Sequence, residues 1–234
     1  MILKYGFMPN IAANRKSPLL LFSDHEDRTH WRWLAGWLGG TVGKTWVKAG
    51  HEVLFSSRHL DTQQQVAASL GMLASGGTVE EAAAFGDVVL IAVPYRALEA
   101  IGQELRTPLA GKIVLDACNP YAPDPSSLIR DVEAEGVALA SARLLPGVRL
   151  VRAFSAVDAT AVEESAAGRG ERLGVPLASD DPAALYIAEQ LVRDAGCVPV
   201  TVGNLASARR FQRGGAGFRT HLNAPALRRA LELQ

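Results

Sequence analysis

The sequence predicts a doubly wound α/β fold on a mostly parallel sheet, with a small C-terminal α/β extension. Three observations predict it. From about residue 33 onward, short β-branched runs alternate with helical segments, the pattern of successive βαβ units. Runs such as "DVVLIAVP" (87–94) are apolar at consecutive positions, which suits strands buried on both faces. A glycine-rich start, "AGWLGG" (35–40), opens a helical segment that stops at Gly50 and leads into a strand, as at a nucleotide-binding turn.

Taken in order, residues 1–30 are polar, rich in turn formers and without periodicity. They read as a loose extension. The nucleotide-binding domain is expected over 31–150. Its first strand falls at "THWRWLAGW", with Trp31, Trp33 and Ala35 on one side. Further strands are expected at "EVLFSS" (52–57), "VVLIAV" (88–93), "KIVLDA" (112–117) and "RLVRAF" (149–154). Helices are expected over 40–50, 61–71, 78–85 and 95–105. The remaining segment, 151–234, supplies a small substrate or dimerisation portion. It holds strands at 174–179 and 197–202 and a helix over 181–196, begun by Asp181 and Pro182 and stopped by Gly196.

Composition removes several classes of function. The 24 basic and 24 acidic residues cancel, so no electrostatic case exists for nucleic acid or an anionic membrane surface. No run approaches the roughly 18 apolar residues that span a bilayer, and "SPLLLF" (17–22) is too short for a signal segment. The two cysteines, Cys118 and Cys197, match no metal or redox spacing. They read as buried thiols in a reducing cytoplasm. His25 and His30 in "HEDRTH" are too isolated to be a metal site.

The glycine stretch admits two phosphate-binding readings. "GKT" at Gly43, Lys44 and Thr45 suggests a mononucleotide loop, but the glycine required five residues earlier is Leu38. The dinucleotide pattern G-x-G-x-x-G aligns on Gly36 and Gly39, with Leu34 in place of the first glycine. The helix that follows would aim its free N–H groups at a diphosphate. The next strand ends in Ser56-Ser57-Arg58 instead of the acidic residue that selects NAD. Two hydroxyls and a guanidinium suit a 2′-phosphate, so the coenzyme read here is NADP(H).

Five blocks in order, "GGTVGKTWVKAGHEVLFSSRH", "AAAFGDVVLIAVPYRAL", "LAGKIVLDACNPYAPD", "VRAFSAVDA" and "VGNLASAR", resemble the NADPH-dependent F420 reductase family (F420H2:NADP oxidoreductase). They also resemble the reductase domain of the STEAP metalloreductases. The resemblance implies a Rossmann domain with a smaller C-terminal portion and a cleft between them. It implies that Ala35, Gly36, Trp37 and Leu38 hold the pyrophosphate and that Ser57 and Arg58 bind the 2′-phosphate; Gly39, the glycine that lets helix and strand pack closely, and Ser56 complete the residues read as coenzyme-binding. It implies that Ala92, Val93, Pro94 and Tyr95 border the nicotinamide side, with Ala153, Phe154 and Ser155 as the opposite wall. F420, a flavin or a small carbonyl compound would be the redox partner, and a homodimer the assembly. The chain departs from the family where a strand like I-G-I-I-G-A-G is expected, as though the segment before Gly39 were altered or out of frame.

Hydride transfer between two redox rings needs no acid–base pair, because the cofactors supply the chemistry and the protein supplies distance and orientation. A carbonyl substrate would need a proton donor, for which Tyr95 and Ser155 are the candidates. Arg209, Arg210, Arg213 and Arg219 lie among glycines near the C-terminus, placed either to meet an anionic substrate or to form a solvated loop. The alternative functions are a non-catalytic NADP-binding sensor or interaction module, and a relative that has lost cofactor binding through its altered first strand.

Overall fold

A computed structural model describes residues 19–23, 35–57, 59–121 and 126–233. The strands are β1 (Leu19–Ser23), β2 (Val53–Ser56), β3 (Ala74–Gly76), β4 (Val88–Ala92), β5 (Ile113–Asp116), β6 (Arg149–Arg152), β7 (Gly174–Ala178) and β8 (Val198–Gly203). They form one eight-stranded sheet in the order β3-β2-β1-β4-β5-β6-β7-β8. β1 to β6 run parallel, in the doubly wound order 3-2-1-4-5-6. β7 then reverses, pairing Arg152 with Ala178 in antiparallel sense, and β8 runs parallel to β7.

The first strand is not where the sequence pattern put it. β1 is the "LLLFS" run at 19–23, inside the stretch read as a loose extension, and it pairs with both β2 and β4. Trp31 and Trp33 lie outside the described residues, and Ala35 is the first residue of helix α1 (Ala35–Lys48). The physical reason is the demand on a central strand. Arg32 in a strand flanked on both sides would be buried without a partner, whereas Leu19–Phe22 carries no charge. The expected boundary at 150/151 also falls inside β6, and β7 and β8 extend the same sheet.

Two apolar layers cover the sheet. On one face α1, α8 (Ala159–Ala166) and α9 (Pro182–Asp194) pack through Val42, Trp46, Val162, Ala188 and Val192 against Phe55, Leu90, Leu115 and Val151. The other face is covered by α3 (Val79–Phe85), α4 (Leu98–Glu104), α7 (Val137–Leu144), α10 (Ala224–Ala230) and a 3-10 turn at Leu205–Phe211. Consecutive residues of β4 alternate between the layers, Leu90 to the first and Val89 and Ile91 to the second. Both faces are buried, so the strand has no polar positions.

Helix ends follow their sequence signals. Thr78 forms a capping box with Glu81 at the start of α3. The Asp181 carboxylate accepts from Ala183 N and Ala184 N, each at 2.9 Å, while Pro182 occupies the first turn of α9. Gly196, in the left-handed region at φ 79°, ends that helix against Ala166. α2 (Leu60–Ala68) follows β2, and α5 (Arg106–Leu109) and α6 (Ser126–Glu135) complete the helices of the described residues.

Candidate functional site

The strand order reverses between β1 and β4. In open α/β sheets, ligands bind beyond the carboxyl ends of the strands at such a switch point. Five strand ends contribute there. β1 enters α1 through residues 24–34, which lie outside the described residues, as does Arg58 after β2.

Ala35, Gly36, Trp37 and Leu38, read as the turn holding the pyrophosphate, and Gly39 after them are already the opening of α1. Leu38 and Gly39 are buried. The helix brings its free N–H groups to this edge. The alternative "GKT" loop is excluded, since Gly43, Lys44 and Thr45 are helical and the Thr45 hydroxyl donates to Val42 O at 2.6 Å.

At the end of β2 the two serines differ. Ser56 is fully buried and its Oγ has no partner among the described residues, so a solvent-facing phosphate contact is not its position. Ser57 is half-buried, and its Oγ accepts from His59 N and from Gln63 Nε2, both at 3.1 Å. Sequence reasoning missed Gln63. In "DTQQQ" nothing distinguishes the buried glutamine from its exposed neighbours Gln64 and Gln65.

After β4, Ala92 and Val93 are buried and Pro94 is half-buried. Tyr95 is 1% exposed, and its phenol oxygen accepts a 3.4 Å hydrogen bond from Ser141 Oγ on α7. Burial pushes its pKa up to about 12. This corrects the reading of Tyr95 as a proton donor, because a catalytic acid must reach its substrate and this phenol is sealed beneath the helical layer.

The ends of β5 and β6 are tied together. Asp116 and Arg152 are register partners, and Arg152 Nη1 donates to Asp116 Oδ2 at 2.6 Å. Arg152 Nη2 donates to Asn119 Oδ1 at 2.7 Å, and Asn119 Nδ2 donates to Ser155 O at 2.7 Å. The other oxygen of Asp116 accepts from Cys118 N. The loop after β6 is thereby pinned to the loop after β5. Ala153 is buried within it, and Phe154 is fully buried at φ 58° with its ring edge-on to Trp46, 6.2 Å between centroids. The Phe154 side chain therefore faces the core, not an open cleft. Ser155 Oγ is buried without a partner among the described residues.

The arginine-rich C-terminal segment splits by residue. Arg213 stacks over the Tyr121 ring at 4.4 Å, and Arg219 pairs with Asp158 at 2.6 Å. Arg219 N also donates to Ala156 O, which straps this segment onto the loops after β5 and β6. Among the described residues no group of three His, Cys, Asp or Glu is placed to hold a metal. No described helix is long and apolar enough to cross a membrane.

A sheet in this order, with a helix opening at the switch point, defines the class: a Rossmann-type doubly wound α/β fold. Residues 35–120 match the model of the family described as NADP oxidoreductase, coenzyme F420-dependent. The match begins at the first residue of α1 and leaves β1 outside. The chain is 29% identical to the metalloreductase STEAP3 of Rattus norvegicus over 71% of its own length and 32% of that protein's. It thus spans about a third of that curated relative. A hypothetical protein of Sinorhizobium meliloti has the same fold at TM-score 0.70, with 23% identity over 88% of this chain and 95% of the other. A putative F420-dependent NADP reductase of Arthrobacter matches at TM-score 0.65, with 19% identity over 88% and 99% of the two chains.

Proposed function

We propose that this protein binds NADP(H) along the carboxyl edge of β1, β2 and β4 and transfers a hydride between the nicotinamide and a second redox ring or small acceptor. The observation that carries the reading is the switch point itself, with α1 opening beside β1 and the family match starting there. The polar groups fit such a coenzyme. Ser57 offers a hydroxyl proton beside the end of β2, and the orphaned Ser155 hydroxyl at the β6 end lacks the partner a carboxamide or ribose would supply. A bound nicotinamide would provide the hydride.

The chain's own residues then set position and dryness. The Arg152–Asp116–Asn119 network fixes the separation of the loops after β5 and β6. Pro94 and the backbone of Ala92–Val93 form the opposing surface. With Tyr95 sealed, acceptors that need only a hydride, such as a deazaflavin of the F420 type or a flavin, fit better than a carbonyl that needs a proton. The two free, buried cysteines suit a cytoplasmic setting, and a homodimer completes the proposal. Stopped-flow oxidation of NADPH against F420, flavin mononucleotide and small aldehydes tests the reading. Turnover with the ring acceptors supports it. Tight NADPH binding without turnover of any acceptor would make the protein an NADPH-binding module instead.

A further inference from the structure

We infer that Gln63 is a positioning residue that makes the Ser57 hydroxyl a dedicated hydrogen-bond donor, and so sets the preference of this site for a 2′-phosphate over a 2′-hydroxyl. The inference deepens the coenzyme reading above and rests on it.

Ser57 has two lone pairs and one proton. His59 N and Gln63 Nε2 both donate to its Oγ at 3.1 Å, which fills both lone pairs. Only the proton is left, and its partner among the described residues is the His59 carbonyl at 3.3 Å, beyond the usual length of a hydroxyl hydrogen bond. A group so constrained can give a hydrogen bond but cannot accept one. A phosphate only accepts, and gains a charge-assisted bond. A ribose 2′-hydroxyl is neutral and gains less.

Gln63 is built to hold this geometry. It is 5% exposed on α2, while Thr62, Gln64 and Gln65 around it are exposed. Its backbone is clamped by β3, where a Cβ on Gly76 would come within 2.9 Å of the Gln63 carbonyl carbon and 2.7 Å of Gln64 N. The first turn of α2 therefore has little room to shift, and the amide stays aimed at Ser57. A glutamine that only filled space here would not need its nitrogen directed at that hydroxyl.

The test is calorimetric binding of 2′,5′-ADP and 5′-AMP to the full chain, which requires no turnover. Wild type should bind 2′,5′-ADP more tightly. Gln63→Met keeps the volume and removes the donor; it should weaken 2′,5′-ADP about tenfold, the worth of a hydrogen bond to a charged oxygen, and leave 5′-AMP unchanged. Gln63→Glu at pH 8 keeps the polarity but accepts the Ser57 proton, and should weaken 2′,5′-ADP further. In a Ser57→Ala background, Gln63→Met should add nothing. Equal losses for both fragments, no loss for either, or full additivity with Ser57→Ala would each overturn the role of Gln63. Wild type that binds neither fragment would overturn the coenzyme reading and this inference with it.

Discussion

Arg152 and Asp116 form an ion pair at 2.6 Å in which neither side chain is more than 1% exposed. They are register partners at the carboxyl ends of adjacent strands, so the sheet itself brings the charges together. A lone charge at this depth would be costly, and the pair is further supported because Arg152 also donates to Asn119 Oδ1 and Asp116 O while Asp116 accepts from Cys118 N. Asp116→Ala should destabilise the protein by about 3–5 kcal/mol, the range for removing one partner of a buried pair. Urea unfolding measures it; an unchanged midpoint would show that the pair contributes nothing.

Tyr95→Phe removes a hydroxyl that accepts a hydrogen bond from Ser141 Oγ at 3.4 Å. The expected loss of stability is at most about 1 kcal/mol. The rate of NADPH oxidation and its pH profile should not change, because a phenol this deeply buried does not reach a substrate. A drop in kcat with a displaced basic limb would restore Tyr95 as the acid.

Two helical glycines should respond in opposite directions. A Cβ on Gly40 meets nothing within 4 Å among the described residues, whereas one on Gly102 would lie 1.8 Å from the Leu144 carbonyl oxygen. Gly40→Ala should stabilise the protein without coenzyme by about 0.5–1 kcal/mol through helix propensity. Gly102→Ala should cost about 1–3 kcal/mol, since α4 must move off α7. Thermal melts of the two variants decide both.

The N-cap Asp181 is held at a pKa of about 2 by the Arg149 guanidinium and by the N–H groups of Ala184 and Ala183. Its folded pKa lies below the ordinary value of 3.8. The stability it contributes is therefore complete above about pH 4 and lost as the pH falls toward 2. Asp181→Asn keeps a cap but loses the charge, so its stability should be flatter than wild type across that window. Acid titration by circular dichroism reads the difference.

Much of this fold was legible in the sequence because its strands are short apolar runs and its helices carry capping signals. β4, β5 and α9 fall where their residues predict. β1 was missed because "LLLFS" is followed by charged residues, while the fingerprint drew attention to the tryptophan segment next to the helix. β3 is "ASG", three small residues with no β-branching, and only its pairing with β2 defines it. The reversal of β7 leaves no local trace, since strand direction is set by the path of the chain. At the site, the serines after β2 carried their own signal. Asp116 and Arg152 carry one too: opposite charges at the ends of two neighbouring apolar strands. Phe154 at φ 58° had none, because no glycine or asparagine marks the bend.

The most direct test of the central claim is titration of NADPH and NADH into the purified protein, followed by tryptophan fluorescence. Trp37 belongs to the opening of α1, beside the proposed diphosphate position, so binding should change the signal. The account predicts saturable binding with NADPH at least tenfold tighter than NADH, a difference of about 1.4 kcal/mol, and loss of that preference in Arg58→Ala. Equal affinities, or no binding of either nucleotide, would contradict it.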